Sequence, residues 1–229
     1  VYVLLEDQEG RYIVGGDFTT YNGSTANKLV RLLKNGTLDT TFNENCSGFN
    51  TTNIRALYIQ NDGCIVVCGG SSGGGSDTYN TYINGVNTNV TFRGIMRLLP
   101  NGYVDTSFNE TLSPFALPYV EAARAVLVQE NGDIVVGGGF TRLIKKFDST
   151  GKENTTFNSG NGLSGGIGTV TVSKIVEEVT GNLLVGGNFT IYNKPSTGDI
   201  NTPYLVRLNS TDGEIVTAFN STEHRALNG

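Results

Sequence analysis

Few residues in this 229-residue chain have the type and spacing that chemistry demands. The thiols are Cys46, Cys64 and Cys68. Cys64 and Cys68 fall on one expected strand and on one face of it. At about 3.3 Å per residue their α-carbons lie roughly 13 Å apart, too far for a disulfide. No His or acidic cluster joins them, so they read as buried thiols and not as metal ligands. Cys46 is expected in a loop as a free thiol, and the odd count gives no disulfide framework. The one histidine, His224, stands between Glu223 and Arg225 in a linking segment, where a solvated or turn role is expected. Any Ser-His-Asp or Cys-His device would need it, and no G-x-S-x-G elbow is present. Gly73-Gly74-Gly75 lacks the Lys-Ser/Thr and helix of a phosphate loop. Asp77 and Asp199 are loop carboxylates that would have to converge for glycoside hydrolysis. Arg31 with Asp39, and Arg97 with Asp105, are expected to pair with each other, with a neighbouring repeat or with backbone. A partly exposed pair of this kind is worth about 0–1 kcal/mol.

The elements that must position these groups are written four times. Each copy has an apolar strand, a turn glycine (Gly10, Gly63, Gly132, Gly181) and a second apolar strand. A further strand, a second turn glycine (Gly36, Gly102, Gly151, Gly213) and a Phe (Phe42, Phe108, Phe157, Phe219) then follow. A unit of about 50 residues lies in the range of propeller blades. Asn-Gly and Asp-Gly turns supply the positive φ that tight hairpins need. Ile65-Val66-Val67, Ile134-Val135-Val136 and Leu183-Leu184-Val185 do not alternate, as strands buried on both faces do not. Helical periodicity is absent. The pattern predicts an all-β fold, a β-propeller of four-stranded antiparallel blades. The repeats span about 1–52, 53–118, 119–168 and 169–222 in a single domain or a segment of one. Glycine pairs at 15–16, 69–70, 137–138 and 186–187 are expected to permit close backbone approach near the axis.

Arg55 to Gly70 followed by Arg97 to Phe108, and Tyr2 to Phe18 followed by Arg31 to Phe42, resemble the delta-60 repeat family of β-propellers. The fourth copy matches at Leu183 to Phe189, Arg207-Leu208 and Phe219. The third departs, with Lys146-Phe147 for Arg-Leu and Asn154 for Asp. The fourth has Val216 at that Asp position. The resemblance implies surface-exposed bacterial proteins and phage virion proteins, with no shared catalytic residues. Arg225-Ala226-Leu227 repeats Arg55-Ala56-Leu57, so a further copy is expected to start in 223–229. The chain then reads as a segment of a longer protein, or its blades close a ring at the low end of the known four to eight.

The net charge of −5 argues against a nucleic-acid partner. No apolar run reaches membrane-spanning length. No cofactor or metal is expected. What varies between copies is the link from the second strand to the third, running Thr19–Asn27, Ser71–Thr91 and Ile191–Pro203 in three copies and short in the third copy. These links are expected to share one loop face. Asp77, Tyr79, Asn80, Tyr82, Tyr192, Lys194, Asp199 and Tyr204 are its expected partner or glycan contacts, since Tyr brings area at low entropic cost and Asn adaptable hydrogen bonds. N-glycosylation sequons stand at Asn22, Asn50, Asn89, Asn109, Asn154, Asn188, Asn209 and Asn220, with two more at Asn35 and Asn45. They would carry glycans only in a eukaryotic or viral-eukaryotic setting, and the repeat itself writes some of them. The expected function is a non-enzymatic virion component, a phage tail or fibre part binding a host receptor or partner protein. A secreted or cell-surface adhesion module of lectin type is the alternative, and a glycan hydrolase the third reading. The expected location is a virion or the extracellular surface.

Overall fold

A computed structural model describes residues 1–49, 53–70, 77–83, 86–92, 94–111, 123–140, 143–157, 162–166, 168–193 and 198–219. The chain forms two compact units, Val1–Ala123 and Arg124–Gly229, each holding two copies of the repeat.

In unit 1 the first copy has β1 (Val3–Glu6), β2 (Tyr12–Gly15), the short hairpin β3 (Thr20–Tyr21) and β4 (Ser24–Thr25), then β5 (Leu29–Leu32), α1 (Thr40–Asn45) and β6 (Cys46–Phe49). The second copy has β7 (Asn53–Ile59), β8 (Ile65–Gly70), β9 (Asp77–Ile83), β10 (Val86–Phe92), β11 (Ile95–Leu98) and α2 (Thr106–Thr111). In unit 2 the third copy has β12 (Ala123–Val128), β13 (Ile134–Gly138), β14 (Ile144–Phe147) and β15 (Gly162–Ser164). The fourth has β16 (Val172–Glu177), β17 (Leu183–Gly187), β18 (Ile191–Asn193), β19 (Ile200–Asn201) and β20 (Leu205–Leu208).

The repeat sheets are antiparallel meanders, β1-β2-β5, β7-β8-β11, β12-β13-β14 and β16-β17-β20. The protein is mostly β in several small antiparallel sheets, as a propeller requires. Each sheet has three strands where four were expected. The fourth position is a single bridge: Leu32 with Leu38, Leu98 with Val104, Phe147 with Glu153 and Leu208 with Ile215. In the first two copies a six-residue helix follows at once. Periodicity missed these helices because they are too short to show one. Their start signal is chemical: Asp39 Oδ1 accepts the N–H of Phe42 at 3.2 Å, a helix N-cap.

The larger clusters form between copies, and a smaller one, Val14, Ala26, Val30 and Leu32, lies within the first. In unit 1, Ile13 and Leu29 of the first copy cluster with Ile54, Leu57, Ile65, Val67, Met96 and Leu98 of the second. In unit 2, Val135 and Ile144 cluster with Val172, Ile175, Leu183, Val185, Val206 and Leu208. Strands pressed from both sides have no solvent face, so their sequence does not alternate.

The glycine pairs serve this contact. A Cβ on Gly15 would lie 2.6 Å from Cγ2 of Ile54, and one on Gly137 would collide with Cγ1 of Val172. The close approach is therefore to the first strand of the next copy. The register also moves one expected pair. Val3 faces Gly15 and Lys174 faces Gly186, but Ala56 faces Cys68. Cys68 thus takes the first glycine's place in the second copy. All three cysteines are buried and outside any disulfide. Cys46, expected in a loop, opens β6.

Candidate functional site

Two of the links that differ between copies pair into small sheets with the end of the preceding copy. In the second copy the link is a hairpin of two seven-residue strands, with β9 lying between β10 and β6. Asp77, Tyr79, Asn80 and Tyr82 all fall on β9, opposite Phe92, Val90, Asn89 and Asn87 of β10. Phe92 is buried and meets Phe49 of β6 edge-to-face, with centroids 4.9 Å apart. The fourth copy repeats the device: β18 lies between β15 and β19. In both cases the link pairs with the segment that closes the preceding copy. Residues some 30 apart in sequence thus make one small sheet, and nothing in local composition signals it.

Tyr192, expected as a surface contact, is an internal residue at 1% exposure. Its hydroxyl donates to the carbonyl of Gly213 at 3.1 Å. Burial, with the nearby Glu214 carboxylate, pushes its pKa up to about 12. Tyr21 does the same in the first copy, donating to the carbonyl of Gly36 at 2.7 Å. Both tyrosines follow the Phe of the strand-two motif by three residues and both tie the link to the second turn. Lys194 lies outside the described residues. Asp199 is exposed. Tyr204 is 37% exposed with φ +67°. That left-handed residue is a repeat feature: Lys28 and Leu143 hold the same place, with φ of 68° and 59°, and Gly94 holds it at 99°. In each copy its carbonyl accepts an N–H from the strand-two glycines: Gly16, Gly69, Gly138 and Gly187.

The Arg–Asp pattern is a buried scaffold element, more enclosed than expected. Arg31 Nε and Nη2 contact Asp39 Oδ2 at 2.8 and 2.7 Å, with the side chains 7% and 12% exposed. Arg97 contacts Asp105 at 2.7 Å. Each guanidinium also lies over the repeat's Phe, Arg31 on Phe42 at 4.3 Å and Arg97 on Phe108 at 4.6 Å. Where the acid is lost, the cation finds another one. Lys146 contacts Asp133 at 2.9 Å and Arg207 contacts Glu178 at 2.7 Å. The same cation reaches the next copy: Arg31 donates to the carbonyl of Pro100, and Lys146 to that of Ser210.

Sequence reasoning did not single out a cleft of about 180 Å³ between the first turns of the two copies in unit 1. Asp7, Glu9, Arg11, Gln60 and Asp62 stand around it, with Arg31 below. Most of its charged groups are engaged: Arg11 contacts Asp7 at 2.7 Å and Glu9 at 3.0 Å, and Asp62 accepts the N–H of Cys64 at 2.9 Å. Burial works to raise the Asp7 carboxyl, but hydrogen bonds and charge from Arg11 outweigh it and hold the pKa below the usual value. Burial likewise works to raise Asp105, but hydrogen bonds from Ser107 and Arg97 outweigh it and hold its pKa below the usual value. Asp148 is held low by the Thr150 hydroxyl. Carboxylates so held stay ionised, and a general acid needs the opposite shift. Burial raises both Cys68 and Cys64, the latter to about 11 with help from Asp62. Among the described residues, no three His, Cys, Asp or Glu gather as a metal site. No described helix is long and apolar enough to cross a membrane.

The sequons divide by geometry. Asn35, Asn154 and Asn209 accept the N–H of the residue two places on, which is the turn that the repeat requires. Asn188 uses both ends of its amide, accepting from Thr171 N and donating to the Thr169 carbonyl. Asn22 is exposed in the turn between β3 and β4. Asn89 lies on β10 and Asn109 in α2. Asn50 and Asn220 lie outside the described residues.

No curated protein matches the chain. A family model described as a β-propeller domain of unknown function (DUF5122) matches residues 9–42 and 180–219. Those segments run from the first turn to the Phe in the first and fourth copies, and they place these copies with the β-propeller repeats.

Proposed function

We propose that this protein is a non-catalytic structural and interaction module whose repeat scaffold carries hairpin inserts for contact with a partner macromolecule. The observation that carries this reading is a division of labour. The ionisable residues of the repeat are spent on its own framework, in Arg31–Asp39, Arg97–Asp105, Lys146–Asp133 and Arg207–Glu178. The inserts vary in length from copy to copy on that constant frame, and the β9–β10 hairpin is the largest among the described residues. Rigid elements that display variable segments suit recognition. The delta-60 likeness favours a virion setting, as part of a phage tail or fibre that meets a host receptor. Exposed Asp199 and half-exposed Tyr204 keep an adhesion module of lectin type as the second reading.

The test shortens the hairpin tip by replacing 81–88 with a two-residue turn. Val90 and Phe92, which pack on the core, are kept. Purified protein is applied to a glycan array and to intact bacterial cells. Binding that disappears on shortening, with unchanged thermal melting, supports the proposal. Glycan cleavage that Asp77→Ala or Asp199→Ala abolishes overturns it in favour of a hydrolase. Co-sedimentation with virus particles separates the virion setting from the adhesion one.

A further inference from the structure

An asparagine followed by glycine is open to attack on its side chain by the next backbone nitrogen, because glycine puts no side chain in the way. Four such pairs lie wholly among the described residues: Asn22-Gly23, Asn35-Gly36, Asn101-Gly102 and Asn131-Gly132. All four asparagines are exposed, so solvent access does not distinguish them. Their turns do.

Asn35, Asn101 and Asn131 sit in the turns of the repeat. There the pair fills the last two of four turn positions, and the glycine N–H closes the turn. Gly36 donates to the carbonyl of Leu33 at 2.8 Å, Gly102 to that of Leu99 at 2.9 Å and Gly132 to that of Gln129 at 2.9 Å. The asparagine side chain is tied as well. Its Oδ1 accepts the N–H two residues on, from Thr37 at 3.0 Å, from Tyr103 at 3.3 Å and from Asp133 at 3.0 Å. Both groups that would react are therefore held in place.

Asn22 and Gly23 sit one position earlier in their turn. They are the two central residues of the β3–β4 hairpin, between the paired Tyr21 and Ser24, with φ of 46° and 80°. In a two-residue hairpin loop the flanking residues close the turn, and the N–H of the second central residue is left over. Among the described residues neither the Gly23 N–H nor the Asn22 amide has a hydrogen-bond partner. A Cβ on Gly23 would meet nothing within 4 Å, so the turn has room to rearrange.

We propose that Asn22 is a self-modification site, deamidating in the folded protein while Asn35, Asn101 and Asn131 are spared. The Gly23 nitrogen attacks Cγ of Asn22. The new N–Cγ bond closes a cyclic imide, the Cγ–Nδ2 bond breaks, and the side-chain nitrogen leaves as ammonia with the proton that Gly23 gives up. Solvent water then opens the imide at either carbonyl. One opening leaves an aspartate, the other an isoaspartate whose main chain is longer by a methylene. Both put a negative charge on the link of the first copy, and the isoaspartate also displaces the pairing of Thr20 with Thr25.

The test is made on bacterially produced protein, which carries no glycan on the Asn22 sequon. It is held at mildly alkaline pH with and without urea, then peptide-mapped by mass spectrometry, with isoaspartate counted by enzymatic methylation. The native protein should show the amide-to-acid mass gain at Asn22 running toward completion while the other three pairs stay intact. In urea all four should convert at similar rates, because the turns no longer hold them. Asn22→Gln, which would have to close a larger ring, should abolish the native signal. Native Asn22 converting no faster than the other three overturns the proposal. So does a preference for Asn22 that persists in urea, since neighbouring sequence and not the turn would then be its cause.

Discussion

The Tyr192 hydroxyl donates to the carbonyl of Gly213 at 3.1 Å, inside the core of the fourth repeat. A residue type that looks made for surface contact instead ties a variable link to an invariant turn. Its loss is a stability event. Tyr192→Phe keeps the ring and removes the hydrogen bond, which should cost about 1 kcal/mol. Tyr192→Ala also leaves a cavity and should cost about 3–5 kcal/mol. Urea unfolding monitored by circular dichroism measures both. Equal and negligible losses would return Tyr192 to the surface.

Tyr192 also gives an alkaline signature. Its pKa is raised to about 12 in the fold, from an ordinary value near 10. The stabilisation is complete below about pH 10 and fades as the pH climbs toward 12, because the unfolded chain gives up the proton first. The parent should lose stability over that window more steeply than Tyr192→Phe. Parallel slopes in thermal melts would count against it.

Arg31 makes three kinds of contact at once: the Asp39 carboxylate, the Phe42 ring and a carbonyl of the next copy. Arg31→Ala should cost about 3–5 kcal/mol, since it leaves a buried charge without its partner. Arg31→Lys keeps the charge but loses the planar fork, and should fall between the parent and Arg31→Ala. A result for Arg31→Ala within the range of an exposed pair would show that the burial is not felt in solution. Denaturant midpoints decide it.

Gly15 and Gly186 hold the same register position with opposite surroundings. Gly15→Val would force its side chain into Ile54 and should lower stability by about 1–3 kcal/mol or more. Gly186→Val, whose Cβ meets nothing nearer than the Tyr204 carbonyl oxygen at 3.8 Å, should leave the melting temperature where it was. The comparison isolates inter-repeat packing from the cost of losing a glycine in a strand.

Asp7 and Asp105 are held below the ordinary carboxylate pKa. Stability from them is fully present above the unfolded value near 3.9 and is lost as pH falls through their folded values. Asp105→Asn should flatten the acid limb of the stability curve below about pH 4 and lower its plateau. An unchanged acid limb would refute the role.

Burial and the raised pKa of Cys64 and Cys68 make these thiols poor nucleophiles at neutral pH. In the native state neither should react with a thiol reagent on the timescale of minutes, and both should react in urea. Fast labelling without denaturant would mean that β8 opens locally.

The repeat itself was legible because turn glycines, apolar non-alternating strands and a fixed Phe are each local demands of the backbone. Gly10 and Gly36 need left-handed φ whatever surrounds them, and Asp39 caps a helix through an atom three residues away. The Arg–Asp pairing was legible for the same reason, since eight residues separate the partners across one turn. The reduction of the fourth strand to a bridge was not, because Leu38 and Leu32 look like strand residues until the cap at Asp39 ends the ladder. Long-range placement escaped altogether. Cys68 taking a glycine's place, β9 seated between β6 and β10, and Tyr192 turned inward depend on which strands meet. That choice is made by burial between repeats, a sum over residues distant in sequence, and no local pattern encodes it.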